Sequence, residues 1–433
     1  MKRLLLAAAL TLAAALPALA QQQPTGPNGV TSEQVHEMER QRFGFGELVP
    51  GRDSDQKSPR AANFDEAKAG NLVPPPLFAS PADATRAGWA RRRAELARLI
   101  EDNWVGRIPP AASKLKIAWT KEPVEGRKGY PAEHWVGRIS APDGRTGPVI
   151  DATVTFPVRN VQVPALIDYT YIWPAGFKFP GPPPPDTAKM VLDRGWALVE
   201  YRPQLIQADS AAQMQQGVIG LVRWPRERND WGALRAWAWG ASKLREALAA
   251  DPRIDGSQIS LAGHSRFGKG VLVAAAFDPK FADALVSSSG AGGAKLMRRD
   301  FGEAWTNMAG TGAFHWYTPE VMEYAGHKTV ADLPVDAHEL IALRAPRPLF
   351  ISSGSADKGD AWVDPRGMLI ATSLAEPAWG KVYRLPVPPS SEMPKVLVGY
   401  RDYPLAFYQH DQGHVPWPSY EYFMDHEAKF AQK

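Results

Sequence analysis

The fold is decided by a stretch in the middle of the chain, which reads Ile259-Ser260-Leu261-Ala262-Gly263-His264-Ser265-Arg266-Phe267-Gly268-Lys269-Gly270. A β-rich apolar run turns here into a helix of small residues. A serine on such a turn exposes its hydroxyl, and the free N–H groups at the helix start can stabilise a developing oxyanion. We therefore predict that Ser265 is a catalytic nucleophile. The alternative is an ordinary turn with a capping serine, because Phe267 stands where the usual Gly-x-Ser-x-Gly motif has its second glycine.

Apolar, β-rich segments alternate with helical patterns around this stretch. The predicted strands cover residues 149–158, 163–172, 197–201, 258–262, 284–288 and 348–353. The predicted helices cover residues 85–104, 231–250 and 268–276. Several strands are almost continuously hydrophobic, as expected for strands that are covered on both faces. The alternation predicts a single α/β domain over residues 83–433 with a mostly parallel sheet.

The composition indicates a globular protein, since 44% of the 433 residues are hydrophobic and 22% are charged. The net charge is only +4, and the basic residues form no long run, so we do not expect nucleic acid as a partner. The chain has no cysteine. This excludes a disulfide framework, a thiolate metal site and a cysteine nucleophile, so any catalytic chemistry uses oxygen or nitrogen.

The first 20 residues have the three parts of a secretory signal. The basic pair Lys2 and Arg3 precedes an apolar run that ends near the small-residue site Ala18-Leu19-Ala20. The run is shorter than the roughly 20 apolar residues that a membrane anchor needs. We expect cleavage after Ala20, a periplasmic or secreted protein, and no membrane contact after cleavage. Residues 21–82 are polar and rich in Gly and Pro, which predicts an extended N-terminal arm.

A catalytic serine needs a base, usually a histidine that a carboxylate orients. His414 follows the last β-like segment, which is where the chain order serine, acid, histidine places the base. The alternative for any single histidine is a solvated or internally bonded side chain. The acid is expected in the Gly-rich loop after the 348–353 strand, where Asp357, Asp360 and Asp364 compete. Spacing alone favours Asp357.

A metal site is not expected from the histidine pattern. His410 and His414 are four residues apart, a spacing that can indicate zinc on a helix. Gly413 between them and Pro416 after them argue against that helix. We therefore expect no metal and no other cofactor.

Several of the 15 tryptophans fall in predicted loops, namely Trp173, Trp224, Trp316, Trp362 and Trp417. Their rings suit the walls of a cleft that binds sugars or lignin-like aromatics, and the alternative is that each ring only anchors its loop. Two Pro-rich stretches, residues 180–186 and 385–394, are interpreted as surface loops after strand ends, where α/β proteins place their ligand sites.

Outside the serine turn, five further blocks carry a recognisable pattern: Asp230-Trp231-Gly232-Ala233, Ala236-Trp237-Ala238-Trp239-Gly240, Ser289-Gly290-Ala291-Gly292-Gly293, Arg298-Arg299-Asp300-Phe301-Gly302-Glu303 and Asp360-Ala361-Trp362-Val363-Asp364-Pro365. Together with Gly263-His264-Ser265-Arg266-Phe267-Gly268-Lys269, they resemble the glucuronoyl esterases of carbohydrate esterase family 15, particularly the bacterial members. The resemblance spans the chain from about residue 89 to the C-terminus. It implies an α/β-hydrolase fold, a three-layer sandwich around the mostly parallel sheet.

The resemblance also implies a role for each matching residue. Ser265 would attack an ester, Arg266 would help to bind the oxyanion, and His414 would be the base. The residues that would contact the uronate are Lys269, Glu303 and Trp362. A site that pairs the hydroxyl groups of a sugar acid discriminates far better than an apolar pocket can.

One position departs from the family pattern. Many members, fungal ones above all, have the triad acid directly before the Ser-Gly-x-Gly-Gly block, and this chain has Ser288 there. A serine cannot supply the charge that stabilises an imidazolium. Some bacterial members take the acid from the Asp-x-Trp loop instead, so the resemblance makes Asp360 the first choice and Asp357 the second.

The activity implied by the resemblance is hydrolysis of glucuronic acid esters by a serine esterase. The substrate would be the ester between 4-O-methylglucuronate of glucuronoxylan and a lignin alcohol, and we expect the enzyme to be a monomer. One alternative is a general carboxylesterase or acetyl-xylan esterase on the same fold. Another is a carbohydrate-binding protein whose triad has lapsed, a reading prompted by Ser288.

Overall fold

The computed structural model describes residues 25–70, 73–159, 161–172 and 184–431. The predicted signal peptide, Trp173 and most of the Pro-rich loop 180–186 lie outside the described residues. Within these ranges, none of the helices is long and apolar enough to span a bilayer.

The described residues form a nine-stranded sheet. Its strands are β1 (Lys116–Val124), β2 (Ala132–Ser140), β3 (Thr146–Thr155), β4 (Val163–Tyr169), β5 (Ala197–Tyr201), β6 (Ile254–His264), β7 (Ala284–Ser287), β8 (Leu349–Ser353) and β9 (Leu405–Gln409). The spatial order is β1-β2-β3-β5-β4-β6-β7-β8-β9. The pairings from β1 to β5 are antiparallel, and all pairings from β5 across β4 to β9 are parallel. The prediction of a mostly parallel sheet is confirmed.

Helices connect the strands and cover both faces of the sheet. They are α1 (Ser32–Arg42), α2 (Arg86–Ile100), α3 (Thr187–Asp193), α4 (Val218–Val222), α5 (Ala233–Ala249), α6 (Arg266–Phe277), α7 (Trp305–Ala309), α8 (Ala337–Ala342), α9 (Pro365–Ala375) and α10 (Tyr420–Phe430). The three predicted helices correspond to α2, α5 and α6, with ends that differ by a few residues. The α/β class is confirmed.

Alternation along the central strands produces three layers. Successive side chains of a strand point to opposite faces. The side chains on one face pack with α3 and α10, and they include Leu166, Leu198, Leu285 and Phe350. Their chain neighbours pack in the larger core with α5 and α6, and they include Ile167, Val199, Val286 and Ile351. Both faces are therefore buried, which explains the nearly continuous hydrophobic runs of these strands.

Among the described residues, strands β1 and β2 and seven of the ten helices have no counterpart among the predicted segments. Most side chains of the edge strand β1 are exposed, so this strand has no apolar run, and it pairs only with β2. Within the predicted extended arm, Ser32–Arg42 is helical. Thr31 and Gln34 form a capping box at its start, and Glu39 makes a fully buried ion pair with Arg226. The prediction of an extended conformation is wrong for this segment. The division of the chain at residue 83 stays a prediction.

Candidate active site

Ser265 lies on a strained turn between β6 and α6. Its backbone has φ 58° and ψ −126°, a positive φ that costs a non-glycine residue roughly 1–3 kcal/mol. The Ser265 N–H donates to the carbonyl of Ser287 on the neighbouring strand at 2.8 Å. The serine is thus held at the carboxyl edge of the sheet, directly before the N–H groups that open α6.

The irregular spacing around Ser265 has a packing explanation. A Cβ at Gly263 would lie 2.6 Å from the carbonyl oxygen of Phe267, and a Cβ at Gly268 would lie 2.8 Å from that of Ser287. Both positions therefore require glycine. Phe267 lies between them in the core, where its ring contacts Tyr171 with a centroid separation of 4.2 Å. The second glycine of the turn is displaced by one residue so that an aromatic side chain can anchor α6.

His414 and Asp360 meet at the same edge of the sheet. His414 follows β9, Asp360 follows β8, and His414 Nδ1 lies 2.7 Å from Asp360 Oδ1. The carboxylate is 1% exposed and also accepts hydrogen bonds from Ser288 Oγ at 2.7 Å and the Gly354 N–H at 2.6 Å. Burial alone would raise the pKa of Asp360, but the charge and hydrogen bond of His414 lower it to about 2. Asp360 is therefore ionised and can stabilise an imidazolium.

The other two aspartates of the loop lie elsewhere. Asp357 is 73% exposed and lies 3.6 Å from Lys358, so it faces solvent and the geometry favours Asp360 as the acid. Asp364 is fully buried, caps α9 and pairs with Arg299 at 2.9 Å. Ser288, which stands at the family's usual acid position, donates to Asp360 instead of replacing it.

His264 places a second imidazole next to His414, the predicted base. Its ring centroid lies 4.4 Å from that of His414, and its Nδ1 lies 3.1 Å from Ser287 Oγ. Burial, together with the nearby positive charge of His414, holds the pKa of His264 well below its ordinary value. A neutral His264 places no competing positive charge beside the base.

Arg266, the predicted oxyanion ligand, is bound by a carboxylate that the sequence analysis did not single out. Its Nη1 donates to Asp209 Oδ2 at 2.6 Å. The guanidinium carbon lies 5.4 Å from the ring centroid of Trp316. Asp209 lies in the loop between β5 and α4, beyond a short 3₁₀ helix at Pro203–Leu205, and no local sequence motif marks it.

Lys269 and Glu303 form a buried ion pair beside the serine turn. Lys269 Nζ donates to Glu303 Oε2 at 2.9 Å and to the carbonyl of Ala291 at 2.6 Å. Burial lowers the pKa of Lys269, an effect that the Glu303 charge opposes. The ring centroid of Trp316 lies 5.6 Å from Lys269 Nζ. Two of the three predicted uronate contacts are thus side by side.

Trp362 is hydrogen-bonded to Glu303 of this ion pair through its backbone. The Glu303 N–H donates to the Trp362 carbonyl at 2.7 Å, and the half-buried indole packs against the core. Trp417 lies in the loop after His414, where its Nε1 donates to Gln412 Oε1 at 3.0 Å. Trp224 is half-buried against the core and is a loop anchor.

The N-terminal arm contacts the segment that carries Glu303. Glu66 of the arm lies 2.5 Å from the guanidinium of Arg299. The Gly302 N–H donates to the Asn63 carbonyl at 2.8 Å, and Asn63 Nδ2 donates to the Asp300 carbonyl at 2.6 Å. The arm therefore braces the backbone directly before Glu303.

The described part of the chain holds no group of three or more His, Asp or Glu side chains that could bind a metal ion. His410, the partner of His414 in the zinc-like spacing, is buried, and its Nδ1 accepts from the Gln412 N–H at 3.3 Å. Its backbone N–H donates to the carbonyl of Ser353. The residue therefore anchors the loop that carries the base.

Comparison with known proteins places the chain in one family. The family model described as "Glucuronyl esterase, fungi" matches residues 139–382. A carbohydrate esterase, MZ0003, from an unknown prokaryotic organism is 28% identical over 422 residues, which cover 85% of this chain and 92% of that protein. A 4-O-methyl-glucuronoyl methylesterase of Hypocrea jecorina is 28% identical over 317 residues, which cover 70% of this chain and 60% of that protein.

A solved structure supports the same family assignment. A family 15 glucuronoyl esterase from Teredinibacter turnerae T7901 has a TM-score of 0.85 and 37% identity to this chain. The match covers 92% of this chain and 99% of that protein. The predicted α/β-hydrolase fold and the family resemblance are both confirmed. The chain belongs to the glucuronoyl esterases of carbohydrate esterase family 15.

Proposed function

We propose that this protein hydrolyses esters of glucuronic acid through a serine nucleophile. One observation carries the proposal. The buried Asp360 carboxylate binds the His414 ring at 2.7 Å, at the same sheet edge as the strained turn of Ser265. Such a pair fixes the tautomer of the imidazole so that its other nitrogen, Nε2, is free to accept a proton.

The reaction has two acyl-transfer steps. His414 Nε2 removes the hydroxyl proton of Ser265, whose oxygen bonds to the carboxyl carbon of the ester. Arg266 and the N–H groups at the start of α6 stabilise the tetrahedral oxyanion. The intermediate collapses, the bond to the alcohol breaks, and His414 gives its proton to the leaving alcohol. Water then attacks the acyl-enzyme by the same route and releases the free acid.

The sugar-binding side of the site consists of the Lys269–Glu303 pair and the Trp362 loop. An ammonium and a carboxylate that are already desolvated can exchange part of their mutual bonding for the hydroxyl groups of a uronate. A substrate without those hydroxyl groups leaves the pair unsatisfied, which is the basis of strong discrimination. This arrangement favours a sugar acid over a simple acyl ester.

The natural substrate in this proposal is the ester between 4-O-methylglucuronate of glucuronoxylan and a lignin alcohol. The name of the Hypocrea jecorina relative supports the 4-O-methylglucuronoyl part. The proposal includes export with removal of residues 1–20, so that the enzyme meets a polymeric substrate outside the cytoplasm. The binding-protein alternative rested on Ser288, and the Asp360 carboxylate beside that serine supports a working triad instead.

Substrate preference tests the proposal. The kcat/KM of the purified protein is measured with benzyl glucuronate and with 4-nitrophenyl acetate at one pH. We expect the glucuronate ester to be preferred by at least about 100-fold, because only this substrate satisfies the buried ion pair. Preference for the acetate would support the general esterase, and binding of glucuronoxylan without hydrolysis of either ester would support the lapsed enzyme.

A further inference from the structure

Asp209 connects three side chains at the rim of the candidate site. The carboxylate is 8% exposed, and its Oδ2 accepts from Arg266 Nη1 at 2.6 Å. Its Oδ1 accepts from Trp316 Nε1 at 2.6 Å and lies 3.0 Å from His315 Nε2. Both oxygens of Asp209 therefore have hydrogen-bond partners, and the carboxylate cannot rotate without losing a hydrogen bond.

The loop that carries Asp209 is itself fixed. The indole N–H of Trp237 on α5 donates to the Gln207 carbonyl at 2.7 Å, and Gln207 Oε1 accepts from the Ile219 N–H at 3.2 Å. Burial alone would raise the pKa of Asp209, but the charge of Arg266 and the hydrogen bond of His315 keep that pKa below its ordinary value. The site thus presents an ionised carboxylate at a constant position.

Arg266 needs such an anchor because of its own exposure. Its side chain is 41% exposed, and an arginine without a fixed partner loses its orientation among many rotamers. Asp209 holds one nitrogen of the guanidinium, and the Trp316 ring lies 5.4 Å from its central carbon. The planar group has five N–H donors, so the contact with Asp209 leaves others available to the serine turn.

We propose that Asp209 is a positioning residue for ester hydrolysis, which holds the Arg266 guanidinium where the oxyanion develops. The inference rests on the proposed function. The oxyanion exists only in the tetrahedral state, so the contribution of Asp209 falls on kcat and leaves KM nearly unchanged. A residue that only supported the fold would change stability and would act independently of Arg266.

A double-mutant cycle tests this role with benzyl glucuronate. Asp209→Asn keeps the size of the side chain and removes its charge, and we expect kcat to fall about 10- to 100-fold with KM within about 3-fold of wild type. Arg266→Gln removes the guanidinium and its positive charge. In the Arg266→Gln background, Asp209→Asn should change kcat by less than about 3-fold, because its effect passes through the missing guanidinium.

The matched control is Asp151→Asn. Asp151 on β3 is also buried and also binds an arginine and a histidine, Arg202 and His134. We expect this variant to lose stability in urea unfolding and to keep its kcat. If Asp209→Asn is unfolded, Trp316→Phe replaces it in the cycle, because this change removes the donor to Oδ1 and keeps an aromatic ring.

The outcomes distinguish failure of the positioning role of Asp209 from failure of the proposed function. A wild-type kcat in Asp209→Asn would overturn the positioning role. So would a double mutant whose loss of kcat equals the product of the two single-mutant losses. In both cases the wild-type enzyme would still hydrolyse glucuronate esters. For Trp316→Phe, we expect a kcat loss of a few fold that disappears in the Arg266→Gln background, and its persistence there would also overturn the role. A wild-type protein that cleaves no glucuronate ester would instead reject the proposed function.

Discussion

Replacement of Asp360 by asparagine removes the charge that lies against His414, the proposed base. The hydrogen-bonding shape is largely kept, since an amide can still contact His414 and Ser288. The change therefore tests the electrostatic role of the acid. Asp357→Asn is the control, because Asp357 is 73% exposed and pairs only weakly with Lys358.

The size of the effect follows from the pKa of Asp360. A decrease from 3.8 to about 2 corresponds to roughly 2–3 kcal/mol of interaction with the charged form. Burial opposes this decrease, so the attraction to His414 is larger than the net value. The same energy in the transition state gives a loss of about 30- to 160-fold in kcat. The wrong imidazole tautomer, which an amide favours, increases the loss towards about 10⁴-fold.

The assay measures release of benzyl alcohol from benzyl glucuronate, with folding checked by circular dichroism. The kcat of Asp360→Asn should be about 30-fold to 10⁴-fold lower than that of wild type, and the kcat of Asp357→Asn should equal that of wild type. Asp360 also stabilises the fold above its unfolded pKa of about 4, and that contribution is lost as the pH falls towards about 2. The stability difference between wild type and Asp360→Asn should therefore shrink from pH 5 to pH 2. A kcat within about 5-fold of wild type would refute the reasoning.

Two further predictions concern the proposed sugar-binding side, which consists of the Lys269–Glu303 pair and the Trp362 loop. Lys269→Met should raise KM for benzyl glucuronate at least about 10-fold and cost about 3 kcal/mol of unfolding free energy, because the largely buried Glu303 charge keeps only the Ala291 N–H and loses its counter-charge. Adding Glu303→Gln should restore part of the stability but not the KM, and an unchanged KM in Lys269→Met would contradict the assignment. Glu66→Gln should lower kcat/KM a few fold by loosening the brace on Arg299, whereas Glu37→Gln, which breaks an exposed pair on α1, should have no effect. Equal activities of these two variants would exclude the brace.

The central part of the fold could be predicted because its strands are buried on both faces. Strand β5 agrees residue for residue with the predicted 197–201, and the helix after Ser265 begins two residues before the predicted 268. Strand β1 could not be predicted because its side chains are mostly exposed, so it carries no apolar pattern. Helix α1 depends on the capping box of Thr31 and on contacts with distant residues, which a Gly- and Pro-rich composition hides.

The candidate site was predictable to the extent that each residue belongs to a local motif. Ser265, Lys269 and His414 lie in short motifs whose spacing is visible in the sequence. Spacing alone favoured Asp357 over Asp360, and only the fold shows that a turn after β8 points Asp357 to solvent. Asp209 belongs to no motif, because its partners come from segments 57 and more than 100 residues away.

The most direct measurement of the central claim is the rate at which Ser265→Ala cleaves benzyl glucuronate, compared with wild type at equal concentrations of folded protein. The account predicts a loss of about 10⁵-fold or more with normal unfolding behaviour, since the hydroxyl forms the bond to the acyl group. A rate within 10-fold of wild type would show that another group carries out the attack, and it would contradict the mechanism proposed for Ser265, His414 and Asp360.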